Sequence, residues 1–301
     1  MPLESSTGSA AVVAPAPRRP VRFERRPFSD VVVTGYPGTS GAAVHTAMVG
    51  LWASRLGRAR RGRPGMPEPL AFHARTGELT TAWVPGTALA DPSTPGATSF
   101  RSMEVGTLLA DLHGSGIVVD RVRDRPTLAG VVRRQLADVA ADHTTLGPVL
   151  DAFVEASLAI DRAWLHDEAP RRHVLSHGNL SPHTVLANHR GLVLLDFDHL
   201  QMAELERDLA LWAARVWVDE GARDLPDTAA LLGDLVSGYA ATARRVPADR
   251  AALEVHLAVA LVGVAHGLPS LRRDHFGRIR VLRAATALAE RHLESAAARA
   301  L

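Results

Sequence analysis

One stretch limits what this chain can become. Residues 177–198 read HGNLSPHTVLANHRGLVLLDFD. Most of the chain from Phe100 onward carries apolar residues at helical spacing, as in SMEVGTLLADLHGSG and LGPVLDAFVEASLAIDRAWL. Between 173 and 198 the period changes. HVLSHGN, TVLANHRG and LVLLDFD are short apolar runs separated by turn residues, the pattern of strands rather than helices. A β-rich segment set inside a helical half points to an α+β fold.

The segment also carries chemistry. If NHRG is the turn of a hairpin, Asn179 and Asp196 lie side by side at its two ends. Two carboxylates so placed could share a metal-bound phosphate. One would grip Mg²⁺ and the other would receive the proton of an acceptor hydroxyl. Position 179 holds an amide instead, and an amide does not accept a proton near neutrality.

Upstream, VRFERRPFSDVVVTGYPG reads as one or two strands and a turn. SGAAVHTAMVGLWASRLG follows, with Val44, Met48, Leu51 and Leu56 near helical spacing and Gly57 as its stop. LAFHARTGELTTAWVPG reads as a hairpin turning at RTGE. Residues 1–20 are rich in Ser, Ala, Gly and Pro and read as a disordered tail. The expected organisation is therefore a tail (1–20), a small lobe of strands and one helix (21–86) and a helical lobe (87–301) with the hairpin at 173–198. A cleft is expected between the lobes.

These motifs, in this order, resemble the aminoglycoside-phosphotransferase and choline-kinase-like branch of the protein-kinase fold. HGNLSPHTVL is similar to that family's catalytic loop at His177, Gly178, Pro182, Val185 and Leu186, and LLDFD supplies Asp196. TTAWVPGTAL resembles the lobe-connecting hinge, VGTLLADLHGSG the helix after it, and ELERDLA the element behind the loop. The resemblance spans roughly residues 70–265. It implies a bilobal kinase-like α+β fold, with a reduced small lobe and a mainly helical large lobe. It also implies Asp196 as the Mg²⁺ ligand, Trp83 and Val84 beside the nucleotide, and His177 and Asp208 as structural braces.

The departures are several. Asn179 stands where the family has its catalytic aspartate, and Thr184 where it has a metal-binding asparagine. The lysine that would hold the phosphates is missing, because the chain contains no lysine, and Arg22, Arg25 and Arg26 are the nearby substitutes. The helix at 40–57 carries no acidic partner for it. Losing a general base costs about 10²–10⁴-fold. Turnover of about 1–100 per second would then fall well below one per second. Mg²⁺ with ATP or GTP is expected to bind weakly or not at all.

Composition removes other classes. With no cysteine there is no disulfide, iron–sulfur cluster or thiolate zinc site. All 34 basic residues are arginine, and the net charge is only +2. The pI of about 9.8 thus reflects non-titrating arginine, and no nucleic-acid partner is expected. VHLAVALVGVAHGL, interrupted by His256 and His266, reads as a buried helix, so no membrane span is expected and a cytoplasmic location fits. The strand–glycine turn–helix pattern at 31–44 mimics a phosphate loop but lacks its Gly-Lys-Ser/Thr.

Three readings remain. The first is a pseudokinase that binds a nucleotide, a precursor peptide or a partner enzyme, in a setting such as natural-product biosynthesis. The second is an active but atypical ATP-dependent O-phosphotransferase acting on a small hydroxylated metabolite or on Ser/Thr of a biosynthetic peptide. The third is a non-kinase metal enzyme using His173, His177, His183, His189 and His199 with Asp196 and Asp198. Their spacing is not that of a helical H-x-x-x-H pair.

Overall fold

A computed structural model describes residues 20–26, 29–37, 40–58, 65–91, 101–142, 145–165, 173–221, 228–243 and 250–300. The expected tail (Pro20 apart), most of the basic loop RARRGRPG and the second half of the acidic run WVDEGARDLPD lie outside them.

The first part is an antiparallel sheet with one helix. Strands β1 (Val21–Glu24), β2 (Val31–Gly35), β3 (Pro69–His73) and β4 (Glu78–Ala82) order as β1-β2-β4-β3, and helix α1 (Ser40–Ala53) packs on β3 and β4. The register pairs Val32 with Thr81 and Thr34 with Leu79, so these four side chains share one face. The β3–β4 hairpin turns through Gly77 at φ +68, where an added Cβ would lie 2.3 Å from the Tyr36 carbonyl oxygen. Helix α1 ends at Ala53 instead of running to Gly57. The reason is local: Ser54 Oγ donates to the Leu51 carbonyl at 2.6 Å and accepts from Leu56 N at 3.2 Å, which turns the chain.

The second part is mainly helical. A short strand β5 (Thr87–Ala88) leads to α2 (Ser102–His113), strand β6 (Val122–Arg123), α3 (Arg125–Ala141) and α4 (Gly147–Leu165). Strands β7 (His173–Ser176), β8 (Val185–Asn188), β9 (Gly191–Leu194) and β10 (Gln201–Glu204) follow. Then come α5 (Glu206–Asp219), α6 (Thr228–Ala240), α7 (Arg250–Gly267), α8 (Pro269–Arg273) and α9 (His275–Ala300).

Helix α7 explains the core. Val255, Leu257, Ala258, Leu261, Val262 and Ala265 are fully buried, so it is apolar nearly all round and is enclosed by α4, α5 and α9. Among the described residues no helix is long and apolar enough to cross a membrane. Trp212, Phe153 and Ile160 fill the space between the helices.

Two three-stranded sheets, β5-β8-β9 and β6-β10-β7, hold the central segment. The hairpin forms as its pattern predicts, with Asn188 paired to Gly191 across the turn. HVLS is not a third strand of that hairpin. It pairs antiparallel with β10, which leaves residues 177–184 as a loop between two sheets.

Candidate active site

The loop is held from behind by Asp208 in the first turn of α5. This carboxylate is fully buried and accepts hydrogen bonds from His177 N (2.7 Å), Gly178 N (3.0 Å) and Ser176 Oγ (2.9 Å). His113, the last residue of α2, places Nε2 3.1 Å from Asp208 Oδ2 and Nδ1 3.1 Å from the Tyr239 hydroxyl. Burial alone would raise the Asp208 pKa. The hydrogen bond and charge of His113, with His177 and the Gly178 amide, overbalance it and hold the pKa at about 2. Burial, with the nearby carboxylates of Glu206 and Asp208, pushes the Tyr239 phenol up to about 12.

Gly178 makes the bend. Its φ is +78, and an added Cβ would lie 2.3 Å from the His199 carbonyl oxygen. His177 is fully buried, with Nε2 2.7 Å from the Leu195 carbonyl oxygen and its ring against Phe197. It joins the loop to the far strand of the hairpin and lies behind the open face.

At that face Asn179 Nδ2 donates to Asp196 Oδ2 at 3.2 Å, so the two ends of the hairpin meet. Asp196 is exposed and has φ 61 and ψ 60, the one non-glycine residue with positive φ among those described. A left-handed aspartate is strained backbone, a feature that clusters at functional sites. Thr184 is turned elsewhere. Its hydroxyl accepts from Ser181 N and donates to Ser181 O, both at 3.0 Å, and it is buried. The expected role of Thr184 as a ligand therefore does not fit: its oxygen caps the 182–184 turn.

A cleft of about 650 Å³ opens between the first sheet and the hairpin. Val32, Thr34, Leu79 and Thr81 form one wall, Leu186 and Leu195 another, and Trp83 and Val84 line the connecting segment. Asp196, Asp198 and His199 line the remaining end. There the Tyr36 hydroxyl, from the turn after β2, donates to the Asp198 carboxylate and so ties the first sheet to the hairpin segment. Arg22 does not enter the cleft: it pairs with Glu24 and Glu78 on the outer side of the sheet. Arg26 pairs with Glu24.

Asp196 and Asp198 are the carboxylates that could hold Mg²⁺. Asp196 faces an amide donor, Asp198 faces a phenol, and the Thr184 hydroxyl is spent on backbone. The five histidines are not gathered either. His177 is buried, whereas His173, His183 and His189 are exposed at separate places. The group of described side chains compact enough for a metal is Glu204, Glu206 and His256. In it Glu204 is already paired with Arg125 (3.0 Å) and His256 (2.9 Å). Burial opposes the charge on Glu204, but these two partners outweigh it and lower its pKa.

Tyr36, His113 and Tyr239 were not predicted. His113 lies in the quoted LHGSG, and only the tertiary docking of α2 behind the loop gives it a role.

No family model matches the sequence, and no curated protein does. Solved structures do match. A choline/ethanolamine kinase family protein from Mesorhizobium loti superposes with a TM-score of 0.66 at 16% identity, over 91% of this chain and 92% of that one. Choline kinase LicA from Streptococcus pneumoniae gives 0.60 at 12% identity, over 90% of each chain. A spectinomycin phosphotransferase, solved with ADP and spectinomycin, gives 0.54 at 14% identity over 90% of this chain and 89% of that one. The chain thus has the bilobal, kinase-like α+β fold of the choline kinases and antibiotic phosphotransferases.

Proposed function

We propose that this is a degenerate phosphotransferase-type protein, a pseudokinase that holds a ligand in the inter-lobe cleft without ordinary turnover. One observation carries the reading: the Asn179 amide donates directly to Asp196. In a working pair both groups would be acidic, one gripping the metal ion and the other receiving the acceptor's proton. Here the amide donates to the carboxylate, and no group at 179 can take a proton. The absence of lysine supports the same reading, since phosphoryl transfer rests on positioned cations. A nucleotide-class ligand is the fold-based expectation, since ADP is the stated ligand of the spectinomycin phosphotransferase structure. A precursor peptide or a partner enzyme, in a cytoplasmic biosynthetic setting, is the alternative ligand.

The test is phosphate transfer from Mg·ATP and Mg·GTP to a panel of hydroxylated metabolites and Ser/Thr peptides. Turnover below about 1 per second is expected from loss of the base alone. Turnover of about 1 per second or more refutes the reading.

A second reading, a slow atypical O-phosphotransferase, is favoured by the strained backbone of Asp196. It requires weak transfer that Asp196→Ala abolishes.

A further inference from the structure

We infer that the cleft takes an uncharged nucleoside-type ligand, a planar heteroaromatic ring with its sugar, and discriminates against the triphosphate form. This rests on the cleft being the ligand site.

The two ends of the cleft differ in chemistry. The end near the connecting segment is a slot between aliphatic walls. Val32 and Leu79 face it from the first sheet, Leu186 from the hairpin, and the half-exposed Trp83 stands at its rim. Flat apolar faces accept a flat ring. The hydroxyls of Thr34 and Thr81 on the same wall offer polar contacts to ring edges or sugar. A cleft of about 650 Å³ lies in the ordinary range for a small-molecule site.

Among the described residues, the other end carries two carboxylates and no arginine or lysine. A polyphosphate chain needs arginine, lysine or a well-held Mg²⁺. The ionisable side chains among the described lining residues are Tyr36, Asp196, Asp198 and His199. The strand leading into α1 turns Val32 and Thr34 toward the cleft, neither of them cationic. Arg22 and Arg26 are committed to glutamates. Tyr36 lines this end too, and its hydroxyl engages the Asp198 carboxylate there.

Titration calorimetry of the full chain with adenosine and with Mg·ATP tests this. Adenosine is expected to bind at least about tenfold more tightly than Mg·ATP, with no dependence on Mg²⁺. Thr34→Lys, which puts a cation on the cleft wall, should narrow or reverse that ratio. Tyr36→Phe removes the phenol's bond to Asp198 and should make the response to Mg·ATP metal-dependent. Mg·ATP binding as tightly as adenosine, or more so, to the unaltered protein overturns the inference and leaves the proposal of a non-turning-over ligand site standing. Failure of both compounds to bind overturns the inference and removes the nucleotide-class ligand from that proposal. Kinase-like transfer overturns the proposal itself.

Discussion

Replacing Asn179 by aspartate converts a self-satisfied pair into two facing carboxylates. The amide nitrogen lies 3.2 Å from Asp196 Oδ2, and in Asn179→Asp an oxygen takes its place. Two like charges about 4 Å apart repel by about 1 kcal/mol in water and about 4 kcal/mol at an effective dielectric of about 20. Asp196 is exposed, so the lower figure governs, and loss of the hydrogen bond adds about 1 kcal/mol. A cost of about 2 kcal/mol lowers the melting temperature of a chain this size by about 3 °C. Mg²⁺ should reverse it, because an ion that enters between the carboxylates at ten times its Kd restores about 1.4 kcal/mol. The assay is thermal unfolding of both proteins in EDTA and in millimolar Mg²⁺. Asn179→Asp should melt lower than the unaltered protein in EDTA and recover about 2 °C with Mg²⁺, while the unaltered protein responds little. Equal responses to Mg²⁺, or equal melting in EDTA, would refute the idea that the amide replaces the ion.

Three further outcomes are expected. Asp208→Ala leaves two loop amides and two side chains without their acceptor, and should cost about 3–5 kcal/mol by urea denaturation. Because the folded pKa of Asp208 is depressed to about 2, its contribution is complete above about pH 4. It fades as pH falls from about 4 toward 2, so an acid titration of stability should lose about 2 kcal/mol there that Asp208→Asn does not lose. Gly178→Ala forces a Cβ to 2.3 Å from the His199 carbonyl at φ +78, and should destabilise by more than about 1 kcal/mol where a surface Gly→Ala change would stabilise.

Local pattern carried much of this architecture. The β8–β9 hairpin is written in two short apolar runs around NHRG, and once its ends are fixed Asn179 and Asp196 must be neighbours. The buried character of α7 follows from its lack of a polar face. What could not be read is contact between distant segments. Tyr36 meets Asp198 across 162 positions, and nothing near Tyr36 in sequence marks it as a latch. His113 closes on an LH pair that looks like an ordinary helix end. Its bond to Tyr239 exists only because α2 docks beside α6, where Gly106 and Gly238 let the backbones approach closely. Thr184 shows the opposite failure: aligned with a ligand position by resemblance, it is claimed by its own turn, because a short β-branched hydroxyl reaches the backbone before it reaches the cleft.

The Asp208 junction also bears on the order of assembly. The hairpin closes over a few residues, whereas Asp208 joins the loop to His113 across 95 positions, and His113 meets Tyr239 across 126. Such closures carry the largest entropy cost and are satisfied only when the helices have docked. The junction therefore belongs to the late side of the folding barrier. Stopped-flow kinetics of Asp208→Asn should show faster unfolding with a nearly unchanged folding rate. The loop that faces the cleft is then the last part of the molecule to be set, and its lifetime is governed by how slowly one buried carboxylate lets go.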